Sequence, residues 1–402
     1  MKFKPYRPSA HYVPELNGLR VLLVFVVSWY HIWQQSWWTP MVGSYSLDWL
    51  VRSGYMPVDG TILLSGFLLF LPHARAMLLG EKTPDVRTFY QRRIQRIVPS
   101  YYFVTFLMLF AVAIPYDLFW RPQDLWRDVL MHLTFTQTFN YSTYVGTPIG
   151  VASWTIAIEM QAYLIFPLLA KGARKNLLGT LACMTAAAMA FRCWCLWDMT
   201  DYNMVVNQLI NFMDVYAIGM AAAFVYVYLT RAYPEEKRQQ HLWQAAATLI
   251  LAAAVYALVQ LLQDQAGSSG TQAIQAGQMI RRPLQALLTA VIVLSLPLSL
   301  RPIRFLMGNR LMGLLAMISM NYYLMHQNIA VHLKRIGFPP SVSDTPNMAR
   351  ETPWMYQYTF LCFGLSVVTA ALITLLIEKP GAWALGKLFA CFSRKAEKQE
   401  NQ

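Results

Sequence analysis

The chain has 402 residues, of which 56% are hydrophobic and only 13% charged, with a formal net charge of +13. Soluble chains carry about 25% charged residues, so this composition excludes a disordered chain, a secreted disulfide scaffold and a soluble dinucleotide enzyme, and describes an all-α integral membrane protein. The basic residues sit between apolar runs and in the two tails, not in an aromatic-interleaved patch, so they read as membrane topology and no nucleic-acid partner is expected.

A spanning helix takes about 20 residues. Apolar windows fall near 19–36, 56–79, 98–116, 150–170, 176–197, 205–230, 241–263, 282–300, 311–333 and 356–377, which makes about ten transmembrane helices. Lys2, Lys4 and Arg7 precede the first window, and no small-residue cleavage site follows it, so it is expected to remain as an uncleaved span. Arg75, Lys82, Arg87, Arg92, Arg93 and Arg96 fill the connection after the second window. Lys171, Arg174 and Lys175, then Arg231, Lys237 and Arg238, then Arg301, Arg304 and Arg310 repeat the pattern at later even-numbered connections. With Lys387, Arg394, Lys395 and Lys398 at the far end, the positive-inside rule puts both the N- and C-termini in the cytoplasm.

The opposite face carries longer, less basic loops at 117–149, 264–280 and 334–355, with Arg281 and Arg282 against the trend. Within the first loop, 125–139 (LWRDVLMHLTFTQTF) is amphipathic and short for a span, and is expected to lie in the interface or to enter the membrane partway. No internal repeat is evident. The chain divides into a membrane-embedded domain over 1–382 and a short basic cytoplasmic tail over 383–402.

Ionisable side chains inside a span are costly, and few positions carry them. In the first window Arg20 lies near the cytoplasmic end and His31 follows eleven residues on. Eleven residues advance a helix by about three turns and roughly 16 Å, so both side chains share one face, a cation at the mouth and an imidazole near mid-membrane. Histidine suits proton transfer near neutral pH, which makes His31 a candidate general base; the other reading is a structural histidine hydrogen-bonded between helices. Ahead of the third window, FYQRRIQRIVPSYYF puts Arg93 and Arg96 three apart on one helical face. Guanidinium forks bind phosphate in pairs, so these two suit a pyrophosphate or 3′-phosphate at the cytoplasmic surface, although arginines there also serve as ordinary topology determinants.

Glu159, in the fourth window, lies about 12 Å deep. A carboxylate there pairs with a cation or holds a proton; His31, at similar depth, is one candidate partner and any other basic residue the alternative. Asp59 lies close to the outer interface, where it can be solvated, and Asp214 lies deeper. His326, in the second half of the ninth window, suits a polar contact between helices. Cys183, Cys193, Cys195, Cys362 and Cys391 lack metal-ligand spacing, and no metal is expected. There is no G-x-G-x-x-G, P-loop, H-E-x-x-H or G-x-S-x-G, which removes nucleotide hydrolysis and zinc proteolysis.

Taken together, these segments resemble the acyltransferase-3 family of integral membrane acyltransferases. Leu16-Asn17-Gly18-Leu19-Arg20 followed by His31 is similar to the family's opening L-D-G-L-R with its later histidine. Pro57-Val58-Asp59 through Leu64-Ser65-Gly66-Phe67 resembles its G-V-D…L-S-G-F segment. Phe89-Tyr90 through Arg93, Arg96 and Pro99 resembles F-Y-x-R-R-x-x-R-I-x-P, and Trp154 to Tyr163 resembles W-S-L-x-x-E-x-x-x-Y, with Glu159 on the glutamate. Asp214 to Gly219, Tyr322 to His326 and Ile377-Glu378-Lys379-Pro380 are similar to weaker, later signatures, and all keep their order along nearly the whole chain. Asn17 stands where the family has an aspartate, and Met160 where many members have a second acidic residue.

The resemblance implies an O-acyltransferase in a cell (plasma) membrane. An acyl group, expected to be acetyl, would pass from cytoplasmic acyl-CoA as co-substrate to a hydroxyl of a glycan, lipid-linked sugar or small molecule across the membrane. It makes His31 the catalytic base, Arg20 its essential companion, and Arg93 and Arg96 the residues that hold the coenzyme A phosphates. Glu159 would orient the imidazole or bind the acceptor, with Asp59, Ser65, Asp214 and His326 in support. Membrane lipids and that hydroxyl acceptor are the partners. Direct transfer is expected, since no nucleophile and base pair is apparent. Some members carry a C-terminal hydrolase-like domain, for which this chain is expected to leave no room. The alternative is a multi-span transporter or flippase with His31, Glu159 and Asp214 as a proton or substrate path; coenzyme A binding that depends on Arg93 and Arg96 separates the two.

Overall fold

Without water to bond to, a backbone in lipid satisfies its N–H and C=O groups within its own segment, and each apolar window becomes a helix for that reason. The computed structural model of the protein describes residues 12–232 and 240–400. Lys2, Lys4, Arg7, Lys237 and Arg238 lie outside the described residues, as do the side chains of Arg394, Lys395 and Lys398. Helix α1 spans Glu15–Ser36 and is followed by a two-stranded hairpin (β1 Met41–Val42, β2 Tyr45–Ser46) and the short α2, Asp48–Arg52. Then come α3 Val58–Leu79 and α4 Val86–Met108, the latter extended by a π turn to Ala113. The following connection contains α5 Pro122–Leu133, α6 Tyr141–Tyr144 and a 3₁₀ turn, Val151–Ser153. The remaining helices are α7 Trp154–Lys175, α8 Leu177–Asp198, α9 Met213–Ala232, α10 His241–Ala266, α11 Thr271–Ser295, α12 Arg301–Gly308, α13 Arg310–Arg335, α14 Thr352–Ile373 and α15 Lys379–Glu400.

Among the described residues, 9 helical stretches are long and apolar enough to cross a membrane. A tenth candidate stretch is bent: α12 and α13 qualify only together and meet at 42°. Asn309 makes the break: its side chain accepts from the Met312 N–H at 2.9 Å and caps a new helix there. The third window starts earlier than its apolar run suggests. Asp85 caps α4, accepting from the Thr88 N–H at 2.8 Å and the Thr88 hydroxyl at 2.9 Å, and these bonds hold its carboxyl below the ordinary carboxylate range. Arg93 and Arg96 therefore ride on a continuous helix.

Helix α1 is flanked by α3, α12, α13 and α14. Two glycine contacts set these approaches. A Cβ on Gly18 would lie 2.6 Å from the Met307 carbonyl oxygen of α12, and one on Gly66 would lie 2.9 Å from the Tyr216 carbonyl oxygen of α9. Backbones this close are the packing that small residues allow between membrane helices.

Two charged pairs are buried between the helices, and one of them corrects the reading of Asp59. Asp59 is not solvated: it is 1% exposed, and Arg282, which is 0% exposed, donates to it through Nε at 2.9 Å. The Arg282 guanidinium also covers the Phe212 ring at 4.0 Å and donates to the Val206 carbonyl at 2.9 Å. Arg282 runs against the loop-charge trend because it faces the protein interior, joining α11 to α3. Asp214 is paired likewise with Arg192 of α8, through Nη1 at 2.8 Å and through Nη2, while Arg192 Nε donates to Asn211 at 2.7 Å. Arg281 bonds Asp264 at 3.2 Å and Gln265 at 3.0 Å.

The amphipathic segment after α4 is turned inside out for a soluble helix. Trp126 and Leu130 of α5 are exposed, whereas Asp128 and His132 are buried. An apolar outer face with a polar inner one suits a helix that meets lipid.

Candidate functional site

Three arginines gather where α1, α4 and α7 meet. Arg93 lies eight residues into α4, with its guanidinium 5.8 Å from the Tyr163 ring and 5.9 Å from that of Phe89. Arg20, on the first turns of α1, is in Coulombic range of Arg96, Glu159, Tyr163 and Arg93. Arg96 is exposed and interacts with Glu378, which the π turn Thr374–Glu378 presents and which accepts from Asn321 Nδ2 at 2.7 Å. Among the described residues none of the three guanidiniums makes a hydrogen bond or a close ion pair, and Arg93 Nε is buried without a partner. Like charges held together unpaired are unfavourable until an anion joins them, so this arrangement suits a multiply charged anionic ligand.

Glu159 belongs to this cluster. It accepts from the Ser65 hydroxyl at 2.9 Å and from the Tyr163 hydroxyl at 3.0 Å. Of the two partners the sequence left open, His31 or another basic residue, Glu159 is in range of a basic residue, Arg20, and bonded to Ser65. Tyr163 is one helical turn on from Glu159, whereas no spacing rule connects Glu159 with Ser65.

His31 is placed about 16 Å farther along α1. Its Nδ1 faces Gln34 Oε1 at 3.1 Å, and Gln34 Nε2 donates to the Tyr30 hydroxyl at 2.9 Å. Because the amide nitrogen is turned to Tyr30, the amide oxygen accepts from His31, which puts the proton on Nδ1 and leaves Nε2 a free base. Tyr30 packs edge-on at 4.9 Å between ring centroids, and the His326 ring stands at 5.3 Å. His31 and Arg20 are both half-buried. The structure therefore brings Arg20 together with Arg93 and Arg96, and separates all three from His31.

Gln34 was missed in the sequence, although it sits on the same helical face three residues after His31. Replacing it by Leu removes the bond that holds the imidazole tautomer. A hydrogen bond worth about 1 kcal/mol corresponds to roughly fivefold in rate, so Gln34→Leu is expected to lower turnover about fivefold with an unchanged apparent KM for the acyl donor in a steady-state assay.

His326 does not join two helices by a hydrogen bond. It is buried, and its Nδ1 donates to the Tyr323 carbonyl of its own helix at 2.6 Å. Asp59 and Asp214 hold the helices around the site through the pairs described above.

A second unanticipated group is the chain Asp128, His132, Ser153. His132 Nδ1 donates to the Asp128 carbonyl at 2.9 Å, with carboxylate Oδ1 at 3.0 Å, and Nε2 lies 3.2 Å from Ser153 Oγ. The order matches a nucleophile, base and orienting acid. Ser153, however, donates its proton to the Gly150 carbonyl at 2.6 Å, and all three residues are buried. We read this chain as the device that secures the 122–153 segment against the start of α7.

The chain matches the acyltransferase-3 family, described as an acyltransferase domain, over residues 13–376. It is 26% identical over 174 residues to the O-acetyltransferase OatA of Staphylococcus aureus, a stretch that covers 40% of this chain and 25% of that protein. It is 27% identical over 176 residues to the peptidoglycan O-acetyltransferase OatA of Listeria monocytogenes, covering 40% of this chain and 24% of that protein. The matched stretch thus spans about a quarter of the length of these curated relatives. No solved structure matches the chain.

Proposed function

Since the chain belongs to the acyltransferase-3 family of membrane acyltransferases, we propose that it moves an acetyl group from cytoplasmic acetyl-CoA to a hydroxyl of a glycan on the far side of a plasma membrane. The observation that carries this reading is the pairing of an arginine cluster, only partly offset by Glu159, with a free imidazole base about 16 Å beyond Arg20 on the same helix. Arg20, Arg93 and Arg96 supply fork-shaped donors for the phosphates of coenzyme A, and the pantetheine arm runs from them toward His31. Arg20 then acts on the donor rather than as a companion to His31.

The acceptor oxygen attacks the thioester carbonyl while His31 Nε2 takes its proton. The new C–O bond forms, the C–S bond breaks, and the coenzyme A thiolate leaves with the proton that the imidazolium returns. Gln34 keeps the imidazole in the required tautomer. Glu159, bound to Ser65 and Tyr163, offsets part of the positive charge of the arginine cluster. In this reading both termini are cytoplasmic, residues 1–382 form the membrane-embedded acyltransferase, and 383–402 form a basic tail, as the positive-inside rule favours. The acetyl group and the glycan acceptor are supported by what the relatives are named for, and the lipids around the helices are the remaining partners.

Binding and cleavage of acetyl-CoA by detergent-purified protein test the donor assignment. The double change Arg93→Ala/Arg96→Ala is expected to raise the apparent KM for acetyl-CoA roughly a hundredfold, since each charged hydrogen bond contributes about 1.5–3 kcal/mol. A folded wild-type protein that neither binds nor cleaves acetyl-CoA would leave transport as the better account.

A further inference from the structure

His326 Nδ1 is committed as a donor to Tyr323, so Nε2, on the opposite side of the ring, is a bare acceptor, and it has no partner among the described residues. Buried acceptors are nearly always satisfied, and one that is not calls for an explanation. The surrounding aromatic rings offer no donor. Tyr322 is stacked on His326 at 6.1 Å with an interplanar angle of 10°, and its hydroxyl is engaged with Ser28 Oγ at 2.7 Å. Tyr323, at 5.3 Å, directs its hydroxyl to Thr155. The remaining ring neighbour is His31, its centroid 5.3 Å away and its plane tilted by 45°. His31 carries its own proton on Nδ1, toward Gln34. Two free imidazole bases therefore stand side by side, and neither can bond the other until one of them gains a proton.

We propose that His326 is a positioning residue for His31: its Nε2 accepts a hydrogen bond from the His31 imidazolium during the interval in which His31 holds the acceptor's proton. This rests on the reading of His31 as the general base. The acceptor O–H bond breaks as the His31 Nε2–H bond forms; because Nδ1–H stays bonded to Gln34, this one Nε2–H is shared between the acceptor oxygen and His326 Nε2 in a three-centre bond until the departing thiolate takes the proton. His326 gains and loses no proton. The bond is absent in the resting site and present only once charge has developed, so it favours the transition state over the ground state.

The test compares acetyl-CoA cleavage by the detergent-purified full chain in His326→Phe, His326→Gln, His31→Ala and His31→Ala/His326→Phe. Phe keeps a ring to stack on Tyr322 but has no acceptor; Gln loses the ring but keeps an acceptor oxygen. The Phe variant is expected to lose roughly ten- to hundredfold in kcat at unchanged KM, as for a hydrogen bond to a charged group. The Gln variant should recover part of that loss, and the double mutant should be no slower than His31→Ala alone. A Phe variant as fast as wild type, a Gln variant slower than Phe, or a double mutant slower than His31→Ala would each overturn the proposal. If Phe does not fold, Gln against His326→Leu decides on the same criterion. A fully active His31→Ala would sink the base reading and this inference with it, whereas an inactive His31→Ala beside an active His326→Phe sinks this inference alone.

Discussion

His31→Ala is expected to lower acetyl-CoA turnover about a hundred- to ten-thousandfold, the usual range for loss of a general base, while leaving the apparent KM for acetyl-CoA within about twofold of wild type. The separation of effects follows from the distance along α1. Arg20 precedes His31 by roughly 16 Å of helix rise, and Arg93 and Arg96 cluster with Arg20, so truncating His31 leaves the donors proposed for the coenzyme and the charge of Glu159 untouched. The local fold should tolerate the change, because the hydrogen bond lost is the one to Gln34, which keeps its bond to Tyr30. Initial rates across acetyl-CoA concentrations, with a thermal melt to confirm folding, make the measurement. A His31→Ala protein with near wild-type turnover would remove His31 from the chemistry, and one with raised KM and unchanged kcat would move it to donor binding.

Asp59→Leu is expected to destabilise the protein by about 3–5 kcal/mol, because it strands the Arg282 guanidinium in the interior. Arg282 has no route to water: it is 0% exposed, with Phe212 across its face and the Val206 carbonyl on Nη1. Removing both charges is a different matter. A buried ion pair replaced by apolar groups of similar volume is often neutral in stability, so Asp59→Leu/Arg282→Met should recover most of the loss. Unfolding in detergent for the two single mutants and the double gives the coupling directly. Equal stability of Asp59→Leu and wild type would show that the charges are not desolvated, and an additive double mutant would show that they do not depend on each other.

The spans were legible because the requirement that creates them is local. Lipid obliges each segment to satisfy its own backbone, so hydropathy located ten helical stretches, including the one bent at Asn309. Helix starts were less legible where a polar residue sets them: Asp85 begins α4 twelve residues before the third apolar window. The shared face of Arg20 and His31 was readable as well, since helical periodicity relates residues on one helix without reference to any other.

Amino-acid order alone therefore determined the membrane class, the helices, the arginine pair on α4 and the alignment of Arg20 with His31. Tertiary structure decided every relation between helices. Asp59 and Arg282 are 223 residues apart, and no periodicity connects them. Glu159 of α7 meets Ser65 of α3, and Arg20 of α1 comes into range of the arginines of α4, through contacts between helices that no periodicity relates. His31 and His326 became neighbours only through the packing of α1 on α13. The physical reason is common to all of these: dihedral geometry relates side chains within a helix, but backbone approach and crossing between helices determine which buried charge, or which lone pair, meets another.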